Sequence, residues 1–220
     1  MNVYLIRHGE STNNAGLSHQ DDPPLTDRGR IQAQLVAKAL EALDIEMFYC
    51  SPMLRALETV RPILRALRVP LEVRPELCEH GGLGDREHNG VRRPIPGPSR
   101  SEVLKLVPGA TLSEEITESG WWRFVPADEE ELLRFTRRQV EFLWELWQSR
   151  HQPSAQTIGA VIHGRSGSIL LSAFFGLETD RGYARFGHHN TGITRVEWTP
   201  DRRRLVFLNR IEHLPPELIT

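Results

Sequence analysis

Cysteine is nearly absent: Cys50 and Cys78 are the only two in 220 residues. Two thiols make neither a disulfide framework nor a four-cysteine zinc site, and packing is the role expected of both. Lysine is as scarce, with Lys38 and Lys105 alone in a basic set otherwise made of arginine. A cluster of arginines is therefore a weaker pointer to function here than in most chains. Neither sign of charge dominates, the formal net charge being -2. Holding a nucleic-acid backbone requires a large positive field, so no nucleic-acid partner is expected. Long apolar runs are missing as well. No stretch nears the roughly 20 residues that span a bilayer, and MNVYLIRHGE carries no basic leader ahead of such a run. No membrane partner and cytoplasmic residence are the expectations. With 39% hydrophobic residues the chain can bury one substantial core, which predicts a single domain over residues 1–220. A monomer and a homodimer both fit.

The run Asn2 to Arg7 is short, apolar and rich in strand formers, and it stops at His8-Gly9, which predicts a buried strand leading into a loop. Thr26 is placed to cap a helix in which Ile31, Leu35, Val36, Leu40 and Leu43 recur at helical spacing, ending near Asp44. Met47 to Cys50 reads as a second strand, and Ser51-Pro52 as the cap and first-turn proline of a helix through about Leu67. From His80 to about Pro126 glycine and proline abolish any periodicity, save for a short helix near Ser101 to Leu106. Asp128 to Arg150 is a long amphipathic helix, Thr157 to Ile162 a strand ended by His163-Gly164, and Ser166 to Phe175 a helix closed by Gly176. Gly192 to Trp198 and Leu205 to Asn209 form a terminal antiparallel pair. Strand alternates with helix, so the class is α/β.

The chemistry is read from the strand ends. Open α/β sheets place their ligand crevices outside the carboxyl ends of the strands, and Arg7-His8-Gly9 and His163-Gly164 both sit there. A lone histidine at such a place is more often structural; two, one of them beside an arginine, point to a site. Arg55, just inside a helix that starts where a strand ends, can reach the same edge, and its planar fork suits phosphate oxygens. Standing alone, it would be read as a partner of Glu58 or Thr59 on a solvated face. Glu10 either orients the first loop or is a surface carboxylate.

Four blocks taken together, Arg7 to Ser11 with Asn14, Leu25-Thr26 before Gly29, Ser51 to Thr59, and His163-Gly164, resemble the histidine phosphatase superfamily, also called phosphoglycerate mutase-like. The resemblance implies a three-layer α/β sandwich whose mostly parallel mixed sheet is flanked by helices. It also implies phosphomonoester hydrolysis through phosphohistidine at His8, with Arg7, Arg55 and His163, together with Asn14 and Gly164, holding the phosphoryl group of a small phosphorylated substrate. The proton donor in the family lies in a Leu-x-Glu segment that Leu77-Cys78-Glu79 fits; Glu79 is the choice, with Glu76 and Asp85 nearby. Two arginines and a second histidine can carry the charge stabilisation without a metal, provided His163 presents a donor, and no cofactor is expected.

The segment of residues 80–126 resembles the longer substrate loops of bacterial members, and is read as a shaped cover rather than a solvated excursion. Arg92, Arg93 and Arg100 within it are the specificity candidates. His188-His189-Asn190 is read as structural or rim, since no carboxylate pattern accompanies the histidines. A phosphoglycerate mutase would share the four central residues, but Ala15 to Leu25 has no tryptophan, unlike the corresponding segment of cofactor-dependent mutases. A catalytically silent phosphate-binding domain would be expected to lack the histidine or the acid. A metal-dependent phosphoesterase would need an aspartate-rich cluster, which the sequence lacks.

Overall fold

A computed structural model of the chain describes residues 1–86, 92–122, 124, 128–151, 156–178 and 185–220, with the side chains of residues 85, 86 and 92–94 outside that description. In chain order the strands are β1 (Asn2–Arg7), β2 (Met47–Cys50), β3 (Leu71–Val73), β4 (Gly84–Arg86), β5 (Arg92–Pro94), β6 (Thr111–Leu112), β7 (Thr157–Ile162), β8 (Ile193–Thr199) and β9 (Arg202–Arg210). The α-helices are α1 (Asp27–Leu40), α2 (Leu54–Leu67), α3 (Arg100–Leu106), α4 (Glu129–Arg150) and α5 (Gly164–Phe174). Seven strands form one sheet in the order β6-β3-β2-β7-β1-β8-β9, and β4 and β5 make a separate antiparallel pair. The five from β6 to β1 run parallel, while β8 and β9 close the sheet antiparallel.

Alternation along β1 builds the three layers. Tyr4 and Ile6 enter a core with Val36 of α1, and Leu57 and Val60 of α2; Val3 and Leu5 enter the opposite core with Leu143 and Trp147 of α4, and Leu170 of α5. Both faces of the parallel part are thus covered, as a sheet without a polar face requires.

Local departures from the sequence reading have identifiable causes. The buried face of α1 is Gln32, Ala33, Val36, Ala37 and Leu40, whereas Ile31 is exposed, and the helix stops at Leu40 rather than near Asp44. The rotation is dictated at its first turn, where Gly29 lies against the loop after β1. A Cβ on Gly29 would stand 2.1 Å from the Glu10 carbonyl oxygen, and one on Gly9 would stand 2.5 Å from the Gly29 carbonyl oxygen. Ser51 does not cap α2, which begins at Leu54; the Leu54 amide is capped by Asp22 instead. Helix α5 begins two residues before Ser166, so that His163 is its N-cap residue. The stretch expected to lack regular structure contributes the edge strand β6 and buries Val103, Val107, Leu112, Ile116 and Trp121 in the α1–α2 core.

Gly29→Ala should destabilise the chain by about 1–3 kcal/mol, the usual cost of overpacking. Urea denaturation measures it, and a midpoint equal to that of the wild type would contradict the close approach.

Candidate active site

Because β1 and β7 are parallel neighbours, with Arg7 in register with Ile162, the residues that follow them emerge side by side. The rings of His8 and His163 have centroids 5.0 Å apart. Strand β2 lies on the far side of β7, and the chain leaving it enters α2, whose second residue is Arg55.

His8 is buried, with Nδ1 2.7 Å from the Gly9 carbonyl oxygen. A carbonyl only accepts, so Nδ1 carries the proton, and in the neutral ring Nε2 holds a lone pair. Arg55 Nε donates to that nitrogen at 3.2 Å. Burial, then the guanidinium groups of Arg55 and Arg7, push the His8 pKa well below the ordinary imidazole range. The ring is therefore a neutral base inside a positively charged wall.

His163 is fully buried, and its Nε2 lies 2.8 Å from Ser51 Oγ, which also accepts from the Met53 amide. The arrangement that satisfies both groups has the serine hydroxyl donating to Nε2. It leaves the proton on Nδ1, a buried atom with no partner among the described residues. Burial, Arg55, His8 and Arg7 push this pKa down as well. Arg7 Nη1 donates to the His188 carbonyl oxygen at 2.6 Å, while its Nε has no described partner. A Cβ on Gly164 would lie 3.6 Å from that Nε, so the first residue of α5 packs directly on the guanidinium.

The carboxylates divide clearly. Glu79 accepts from the Ser166 amide at 2.8 Å and the Arg165 amide at 3.3 Å, both in the first turn of α5, and from the His80 amide at 2.8 Å. It borders the same cavity of about 250 Å³ as Arg7, His8, Asn14 and Arg55. Glu76 is committed elsewhere, in a buried ion pair with Arg74. The side chain of Asp85 lies outside the described residues. Glu10 is buried, accepting from Thr26 Oγ1 at 2.8 Å and pairing with Arg28 at 3.1 Å, so it orients the loop.

Asn14 turns its Oδ1 to the Ser11 amide and hydroxyl, which leaves Nδ2 as the donor with no described acceptor. Asn190, read from the sequence as structural or rim, donates from Nδ2 to the His8 carbonyl oxygen at 2.9 Å. Its amide and Oδ1 are in turn held by Thr220, and Gln32 spans the Glu10 amide and Thr220 Oγ1. His188 and His189 bond to Thr194 and Asn209, and among the described residues no three His, Cys, Asp or Glu side chains form a metal cluster. Arg100 is not brought to the cavity. As the first residue of α3 it donates to the Ile116 carbonyl oxygen at 3.3 Å. The side chains of Arg92 and Arg93 lie outside the described residues, although their backbone forms β5.

The ring-proton resonances of His8 and His163 should still show neutral-imidazole shifts at about pH 6.5, where an unperturbed imidazole is half-protonated, because both pKa values are lowered. Protonation of either near pH 6.5 would contradict the buried, arginine-flanked placement.

Among the described residues no helix is long and apolar enough to cross a membrane. The fold resembles that of YhfR from Bacillus stearothermophilus, with a TM-score of 0.67 over 96% of this chain and 98% of that one at 20% identity. A probable phosphatase of Schizosaccharomyces pombe is 40% identical over 207 residues, covering 90% of this chain and 88% of the relative. The adenosylcobalamin/alpha-ribazole phosphatase of Escherichia coli is 29% identical over 188 residues, 82% of each chain. The model of the histidine phosphatase superfamily (branch 1) matches residues 3–100 and 107–211. With that match across the sheet, its flanking helices and both strand-end histidines, the chain belongs to the histidine phosphatase superfamily.

Proposed function

We propose that the chain hydrolyses phosphomonoesters in two in-line displacements, with His8 Nε2 as the first nucleophile. The observation that carries this reading is the bond from Nδ1–H to the Gly9 carbonyl, which turns an unprotonated Nε2 toward Arg55. The nitrogen attacks phosphorus, the P–O bond to the ester breaks, and phosphohistidine forms; water then attacks phosphorus and returns the imidazole. Arg7, Arg55, the Nδ1–H of His163, the amide of Asn14 and the backbone at Gly164 take the equatorial oxygens. Glu79 passes a proton taken up from solvent to the departing alkoxide, then takes one from the attacking water and returns it to solvent. The relatives named as phosphatases support water as the final acceptor.

The substrate is a small phosphate ester, and the segment of residues 80–126 selects it, a role supported by His80 and Gly82 in the cavity wall. Arg92 and Arg93 remain the specificity candidates. Cytoplasmic residence belongs to the same reading, supported by two free, buried thiols.

Rapid quenching during turnover should trap acid-labile, base-stable phosphate on the His8 peptide, in the presence of chelator as in its absence. A folded His8→Ala protein with near-normal turnover would overturn the assignment. For Glu79→Gln the expected loss on alkyl phosphates is about 10²–10⁴-fold, the range for a general acid. An aryl phosphate with a weakly basic leaving group should lose far less; equal losses would take the acid role from Glu79.

A further inference from the structure

Asp22 is a charge in this site that the reaction described above does not use. It lies in the Ala15–Leu25 segment, whose residues Gln20, Asp21 and Pro23 wall the phosphoryl cavity. Both of its carboxylate oxygens face the Leu54 amide, at 2.9 and 3.1 Å, and Oδ1 is 3.8 Å from Arg55 Nη1. The Asp22 side chain is only 18% exposed. Arg55 is buried, and its other nitrogens are turned to His8 Nε2 and Met53 Sδ. Nη1 is therefore the guanidinium nitrogen toward which Asp22 brings a negative charge, a few ångströms from where phosphoryl oxygens would be neutralised.

Resting on the phosphoryl-site reading above, we propose that Asp22 is a specificity-determining residue for the charge of the bound group. Its carboxylate and the phosphoryl oxygens claim the same Arg55 guanidinium. A dianion then binds with uptake of a proton from solvent, which converts the Asp22 carboxylate to the neutral acid. A monoanion binds with less uptake, and the proton returns to solvent when the product leaves. The acid keeps a carbonyl oxygen for the Leu54 amide, so the start of α2 is unchanged by the exchange.

The charged groups facing Asp22 are Arg55 and Glu58 from α2 and Asp21 from its own segment. Burial, the dominant cause, raises its pKa to about 6, against the opposing pull of the Leu54 amide and Arg55. A second negative charge on Arg55 moves it further in the same direction, because like charges disfavour ionisation. Reciprocally, the ionised carboxylate weakens dianion binding, and the penalty disappears as the pH falls through the free-state pKa.

Inorganic sulfate is the probe, since it remains a dianion across the range and is not hydrolysed. Titration calorimetry at pH 6.5, in buffers of different ionisation enthalpy, should show that Asp22→Asn takes up roughly half a proton fewer than the wild type, the difference that linkage gives when anion binding raises the pKa of one carboxyl group more than tenfold in proton affinity. At pH 7.5 Asp22→Asn should bind sulfate about tenfold more tightly, the factor by which an ionised Asp22 opposes the dianion, and the two affinities should converge near pH 5. Equal proton uptake with parallel pH profiles would overturn the proposal. A reading that needs no variant is the Asp22 carboxyl ¹³C shift in the wild type. Its titration midpoint should rise when sulfate is added, and an unmoved midpoint also overturns the proposal. Failure of phosphohistidine to form, with these changes intact, would count against the hydrolytic reading alone; a wild type that binds no sulfate would sink the anion site on which both depend.

Discussion

The backbone of Gly9 and Glu10 lies directly against the backbone of Gly29, and the geometry at His8 follows from that contact. No side chain can be inserted at either glycine without moving α1 away from the loop, because each added Cβ falls within 2.5 Å of a carbonyl oxygen. The contact brings Thr26, Arg28 and Gln32 within reach of Glu10, so a loop that would otherwise be free to move acquires bonds to its side chain and amide. From the other side, Thr59 of α2 accepts from the Gly9 amide. A loop held this firmly can keep the Gly9 carbonyl on His8 Nδ1, and with it the tautomer.

The electrostatics rest on a different balance. Burying arginine is unfavourable, and Arg55 and Arg7 are both pushed down in pKa chiefly by their loss of solvent. Part of that cost is offset by Glu79, which lies close enough to favour the charged form of each. The histidines answer the same field by remaining neutral, so the centre is cationic without a charged imidazole. Arg7 Nε and His163 Nδ1 stay without partners in the described chain. Buried donors left unbonded each cost free energy, a burden that a site for an anion recovers on binding. Such preorganisation is what lets fixed dipoles and charges outperform water, which must reorient.

Much of this was legible in the sequence, for reasons that differ by residue. His8 and His163 could be placed because each directly follows an apolar strand and the two occur together, one beside an arginine, and Arg55 because the chain passes within a few residues from the end of β2 into α2. The face of α1 was not legible from hydrophobicity, since Ile31 is exposed and Gln32 is buried; the determinant was a backbone contact at Gly29 that no periodicity encodes. Strand β6 is two residues long, too short for alternation to register. Glu79 is preferred to Glu76 in the sequence only because Leu77-Cys78-Glu79 fits a Leu-x-Glu pattern; what physically separates them is what each touches, Arg74 for Glu76 and the first turn of α5 for Glu79. Asp22 escaped because its partner, Leu54, is 32 residues away. Ser51, read from the sequence as the cap, is instead turned to His163, so the bond to the Leu54 amide comes from outside the segment.

The position of β1 has a consequence for how the protein is made. This strand leaves the ribosome before β7 and β8, yet Asn2 pairs with Thr157 on one side and with Glu197 on the other. Until those later strands are synthesised, β1 offers two bare edges and two apolar faces to the cell, a state in which unpaired strands invite aggregation. Pairings between such distant parts of a chain are slow to find. The centre around His8 is therefore assembled late: nascent chains that end before β8 hold His8 without the sheet that positions it, and must be kept soluble by other means until the rest arrives.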